Sequence, residues 1–191
     1  MLRALALSTA AQGAGLYLLR SEGERLAAAQ LIAEADRRQG SDRAFRRELA
    51  AWVHPNRLRS RDGMPGYSLG LGDLASNVGP LIVRTFDWGQ GRAAHDRELA
   101  LGSPVIALLW TIEDGPPAWL DAGQALYRML LRATASGVSA SFLNQPLEVP
   151  ELRARMRETF GIPGEVQQVL RLGYGPDVQT TPRRAVEDVM R

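Results

Sequence analysis

The chain has 191 residues, with 21 Asp and Glu against 23 basic residues that are all arginine, for a formal net charge of +2. Lysine and cysteine are absent, which excludes Schiff-base and P-loop chemistry, disulfides, thiolate nucleophiles and thiolate metal sites, and points to a cytoplasmic setting. Apolar residues at 45% and charged residues at 23% are ordinary for a folded protein, so one domain spanning residues 1–191 is expected, without disorder or collagen-like structure.

Residues 3–14 read as an Ala- and Leu-rich amphipathic helix, too short and interrupted to span a membrane, and 16–19 as a strand released by Gly13 and Gly15. Ser21 and Glu24 have the spacing of a capping box and open a helix that runs toward Gly40. Ser41 or Asp42 can cap the next helix, with Phe45, Leu49 and Trp52 on one face, ending near Pro55. From about 57 to 79 the mixture of Gly, Asp, Ser and Asn suggests a long irregular loop, and such loops serve as lids or wrapping segments.

Leu81–Val83 and Val105–Trp110 are apolar runs of strand length, the second apolar enough to be buried on both faces. Pro116 and Pro117 suit a helix start, and Trp119, Gly123, Leu126, Leu130, Ala133 and Gly137 follow at helical intervals, the two glycines allowing another backbone to approach. Residues 138–143 read as a strand and 148–160 as a charged helix starting around Pro150. Residues 166–172 read as a further strand, and the tail is short and amphipathic.

The chain carries little that points to side-chain catalysis. His54 and His95 lack metal-site spacing, no nucleophile elbow is present, and Glu113–Asp114 is explained by a turn. The glycines at 70–72 and 173–175 fall short of a dinucleotide fingerprint. Acidic and basic residues are interleaved rather than gathered into a basic stripe, which argues against nucleic acid. Arg183 and Arg184, behind Thr180 and Thr181, could clamp a phosphate, and they could equally be a solvated basic pair.

Several phrases resemble one family, the Acg-type NAD(P)H nitroreductases. They are SPVIALLWT at 103–111, the run from Trp119 to Glu148, VLRLGYG at 169–175 and TPRRAVEDV at 181–189, with weaker likeness at 35–39, 48–53 and 62–66. The resemblance implies an α+β fold, with a central, mostly antiparallel sheet flanked by helices, and FMN bound at a dimer interface. It implies further that such proteins carry two halves in one polypeptide and that this chain matches the second. The APSxHNxQPW-type segment of the first half does not occur here.

By the same resemblance, Ser141, Asn144 and Gln145 lie where backbone passes along the isoalloxazine ring, and Arg183 and Arg184 lie where the FMN phosphate is held. The implied activity is hydride transfer from NAD(P)H through flavin to a nitro-aromatic or quinone, needing a second copy or a missing N-terminal half. A non-enzymatic flavin-sequestering protein, with the 62–79 segment covering the ring, and a half-domain inactive alone are the alternatives.

Overall fold

The computed structural model describes residues 1–58, 61–176 and 178–190. In chain order the elements are α1 (Leu2–Ala10), β1 (Gly15–Leu19), α2 (Glu22–Ser41), α3 (Arg43–Trp52), β2 (Val53–His54), β3 (Met64–Pro65) and α4 (Asp73–Thr85). They continue with α5 (Gly89–Gly102), β4 (Val105–Thr111), α6 (Pro116–Ala135), β5 (Ser139–Phe142), α7 (Pro150–Thr159), β6 (Glu165–Gly173) and α8 (Val186–Val189). Their contacts gather into two compact units, Met1–Asp36 with Gly91–Gly175, and Arg37–Gln90 with Pro176–Arg191.

The first unit is built on a four-stranded sheet in the order β1-β4-β6-β5, with every neighbouring pair antiparallel. Alternation along the central strand decides what covers it. Ile106 and Leu108 point into a cluster with Ala28, Ile32 and Ala35 of α2, Ala100 of α5 and Leu152 and Met156 of α7. Ala107 faces the other way, toward Leu5 of α1 and Met129 and Ala133 of α6, and Leu109 meets Ala122 and Ala125. Helices therefore close both faces of β4, as its uninterrupted apolar run predicts. At the first residue of β1, opposite Trp110, a Cβ on Gly15 would lie 2.1 Å from the indole ring, so this register needs glycine.

Local signals account for most of the ends. The Glu24 backbone N–H donates to Ser21 Oγ at 3.2 Å and the Ser21 N–H to Glu24 Oε2 at 3.0 Å, the reciprocal box expected at the start of α2. Asp42 caps α3 by accepting from the Ala44 N–H at 2.7 Å. After α6, Gly137 adopts φ +69°, while its N–H and that of Val138 bond back to the carbonyls of Thr134 and Ala133. That is a Schellman closure, and it is what Gly137 is for. Gly123, read as a second site of close approach, faces open space.

The second unit departs from the sequence reading in two places. Leu81–Val83 is not a strand but part of α4, and that helix takes in the end of the segment expected to be irregular up to Gly79. A run of three apolar residues carries no period, so it cannot tell strand from helix. The preceding segment contains β3, paired parallel with β2, and a 3₁₀ turn at Gly66–Leu69. Asn56 holds this region together. Its Oδ1 accepts from the Tyr67 N–H at 2.6 Å, and its Nδ2 donates to the Leu71 carbonyl at 2.9 Å and Asp73 Oδ1 at 3.1 Å.

Candidate functional site

The end of β5 gathers the first three candidate residues. β5 is a sheet edge, so one side of its backbone is free of strand partners, and Ser141 sits half-buried within it opposite Arg171 of β6. Past the strand, the Asn144 side chain turns back onto the sheet. Its Oδ1 accepts from the Val169 N–H at 2.8 Å and its Nδ2 donates to Gln168 Oε1 at 2.7 Å. That side chain fastens the loop to β6, which leaves the backbone as what Asn144 can offer a ligand.

Gln145 is arranged differently. Its Nε2 donates at 2.7 Å to Oδ2 of Asp96, a fully buried carboxylate on α5, which also receives Arg92 Nε at 2.6 Å. A carboxylate can only accept, so it claims the donor end of the amide and turns the carbonyl end away. Gln145 Oε1 and Asp96 Oδ1 are both buried without a hydrogen-bond partner among the described residues. Such orphaned acceptors are costly, by about 1–3 kcal/mol each, unless a ligand or water meets them.

Asp96 escaped sequence reasoning, as did the whole of α5. The signal was Ala93, Asp96 and Ala100, three buried positions at helical spacing. With two small side chains and an acid, that face does not read as apolar.

Asp114 was read as an ordinary turn residue and is a hub. It accepts from Trp119 Nε1 at 2.6 Å, from Arg153 Nη1 at 2.8 Å and Nη2 at 3.3 Å, and from Gln167 Nε2 at 3.2 Å. The Arg153 bonds, then that of Trp119, hold its pKa down at about 2. It ties the β4–α6 turn to α7 and β6 and is structural.

Arg183 and Arg184 belong to the second unit. Arg183 Nη1 donates to Thr181 Oγ1 at 2.6 Å, and Arg184 pairs with Asp62, whose carboxylate raises the guanidinium pKa further. The tail is also held through Arg61 with Asp188 and through Tyr67 Oη, which donates to the Thr180 carbonyl at 2.9 Å. Thus Ser141, Asn144 and Gln145 come together in one unit, while Arg183 and Arg184 come together in the other. His95 is exposed and His54 half-buried in β2. Among the described residues no helix is long and apolar enough to cross a membrane.

Two helical layers around an antiparallel sheet define the class of this chain: it has the nitroreductase-like α+β fold. The FMN and NADPH-dependent nitroreductase of Sphigopyxis sp. strain HMH has a solved structure 18% identical to it, with a TM-score of 0.56 over 99% of this chain and 88% of that one. The nitroreductase with bound FMN from Desulfitobacterium hafniense DCB-2 is 13% identical, with a TM-score of 0.51 over 100% and 84%. A BluB-like flavoprotein from Clostridium difficile 630 is 14% identical, with a TM-score of 0.51 over 99% and 88%.

In sequence the chain is similar to a Mycobacterium tuberculosis protein named "Putative NAD(P)H nitroreductase", in strains CDC 1551 / Oshkosh and ATCC 25618 / H37Rv. Identity is 31% over 194 residues, covering 98% of this chain and 54% of each relative. The resemblance read from the sequence is thereby matched. The chain spans about half the length of the curated relatives it matches. No family model matches it.

Proposed function

We propose that the chain is an FMN-dependent NAD(P)H oxidoreductase of nitroreductase type, reducing nitro-aromatics or quinones. The observation that carries this reading is an unpaired, buried acceptor, Gln145 Oε1, three residues beyond the edge strand of a nitroreductase-like sheet. The oxidised isoalloxazine ring carries one N–H, between its two carbonyl groups, so an edge backbone with an amide acceptor fits it. FMN, when bound, supplies the acceptance and onward donation of a hydride.

The residues of this chain do the rest. Gln145 Oε1 accepts a hydrogen bond from the ring, and Asp96, neutralised by Arg92, fixes the amide so that its oxygen and not its nitrogen faces that way. Ser141 and the backbone at Asn144 line the ring. Arg183 and Arg184, in the second unit, are the pair that the resemblance assigns to a phosphate, a role for which Arg184 would give up its bond to Asp62. No protein nucleophile is needed. A second copy, or a further part like that of the longer relatives which this chain does not span, completes the site in the cytoplasm.

The test is the absorbance spectrum of the purified protein together with its melting temperature in FMN. Flavin bands and a rise in Tm are expected, with stabilisation of about 2.7 kcal/mol when FMN is at 100 times its Kd. A colourless protein whose Tm ignores FMN would sink the reading for this chain. Anaerobic addition of NADPH or NADH then separates an oxidoreductase, whose flavin bleaches, from a flavin-sequestering protein, whose flavin does not.

A further inference from the structure

The second unit contains a basic cavity that the flavin reading does not use. We propose that Arg43, Arg46, Arg47, Arg84 and Thr85 form a phosphate-binding pocket. Arg43, Arg46 and Arg47 stand at i, i+3 and i+4 on α3, and the last two residues of α4, Arg84 and Thr85, close the cavity. Among the described residues no acidic side chain lines it.

Burial and charge make this more than a solvated basic face. Arg46 is only 8% exposed, and its Nη1 donates to the Gly40 carbonyl at 2.6 Å while its Nε is buried without a partner. A buried guanidinium with no counter-ion is costly, and an anion in the cavity relieves that cost. Among the described residues Arg43, Arg47 and Arg84 form no ion pair. Of the carboxylates close by in sequence, Glu48 follows Arg47 on α3 but does not line the cavity, and Asp42 and Asp87 accept from the backbone N–H groups of Ala44 at 2.7 Å and Gly89 at 2.8 Å.

Three arginines in the first half of α3 also stand at the positive end of its dipole, where cations are disfavoured. Folding alone does not favour that arrangement. Phosphate does, because planar guanidinium groups bind it through paired, charge-assisted hydrogen bonds.

The size of the cavity limits what enters it. About 250 Å³ is below the range of about 300–1,000 Å³ typical for drug-sized ligands, so the pocket takes a phosphate group and not a whole nucleotide. That group could be free phosphate or one carried by a cofactor. The inference stands independently of flavin binding at Gln145, because free phosphate tests it alone.

The experiment is calorimetric titration of inorganic phosphate into the full chain at low ionic strength. Arg47→Gln with Arg84→Gln, both on exposed side chains, should weaken phosphate binding at least tenfold with little change in Tm. Arg128→Gln with Arg132→Gln on α6 removes the same charge elsewhere and should leave binding unchanged.

A wild-type preference for NADPH over NADH that disappears in the pocket variant would support the pocket and assign the group to the nicotinamide cofactor. A lost preference for FMN over riboflavin would support it and assign the group to the flavin. Equal phosphate affinity in the wild type and pocket variant, no measurable phosphate binding, or loss of binding in the Arg128/Arg132 control pair but not in the pocket pair would overturn the proposal.

Discussion

The sheet-bearing unit and the Arg37–Gln90/Pro176–Arg191 unit keep their shapes by different means. In the first, Ile32, Ile106, Leu108, Met129, Leu152 and Val169 are completely buried, and polar groups such as Asn144 and Asp114 clamp a core that apolar contacts already define. In the second, α4 leaves Leu74 at 88% and Leu81 at 65% exposure, and much of the order comes from polar side chains reaching across loops. Asn56, Ser76, Tyr67 and the Arg57–Asp73 and Arg184–Asp62 pairs are the examples. A core held by aliphatic packing resists single polar changes, whereas a region held by a few hydrogen bonds fails at one of them.

The sharpest contrast should come from removing apolar groups in each unit. Leu108→Ala leaves a cavity at the centre of β4 and should cost about 2–5 kcal/mol, enough to remove much of a domain's stability. Leu74→Ser, on a residue already facing solvent, should leave Tm nearly unchanged. Equal losses in urea denaturation would break the comparison.

Next in size is Asn56→Ala. It removes the acceptor of the Tyr67 N–H and the donor to the Leu71 carbonyl, at an expected cost of about 1–3 kcal/mol confined to the second unit. Hydrogen exchange should accelerate at Tyr67 and in the first turn of α4 while β4 and β6 amides stay protected. Uniform acceleration would mean that both units unfold together.

Asp114 tests the clamps of the first unit through pH. Its pKa is about 2 in the fold, against an ordinary value of 3.8, so the folded state binds its proton less readily than the unfolded chain. The stability this supplies is complete above the unfolded value and is lost as pH falls through about 4 toward 2. Asp114→Asn should therefore flatten the fall of Tm over that window. An unchanged acid limb would show that Asp114 is not the group responsible.

How much of this was legible depends on how local each signal is. The Ser21–Glu24 box and the Asp42 cap are written within three residues, and β4 announces itself because both of its faces are buried. α5 was invisible because its buried face is Ala93, Asp96 and Ala100, and Asp96 is buried only because Arg92 and Gln145 meet it, the latter 49 residues away. No window of sequence contains that pairing. The same holds for the Arg46 cavity, which needs the end of α4 beside α3, and α4 itself was obscured by the Gly- and Asn-rich segment ahead of Pro80. The resemblance points to the loop at Ser141–Gln145, but the contrast there, with Asn144 fastened to β6 and Gln145 Oε1 left without a partner among the described residues, came only from the hydrogen bonds.

The smallest predicted effects concern two glycines read alike in sequence. Gly123 lies inside α6, exposed, with nothing within 4 Å of where a Cβ would stand, so Gly123→Ala gains helix propensity and should stabilise the protein by about 0.5–1 kcal/mol. Gly137 also has room for a Cβ, but its φ of +69° is a conformation that an L side chain disfavours by about 1–2 kcal/mol. Gly137→Ala should therefore destabilise, although it adds the same methyl group to equally open space. Opposite shifts in Tm would show that backbone conformation, and not crowding, selects glycine at the end of α6. Shifts of the same sign would return the close-approach reading, and with it the expectation that something packs on that face.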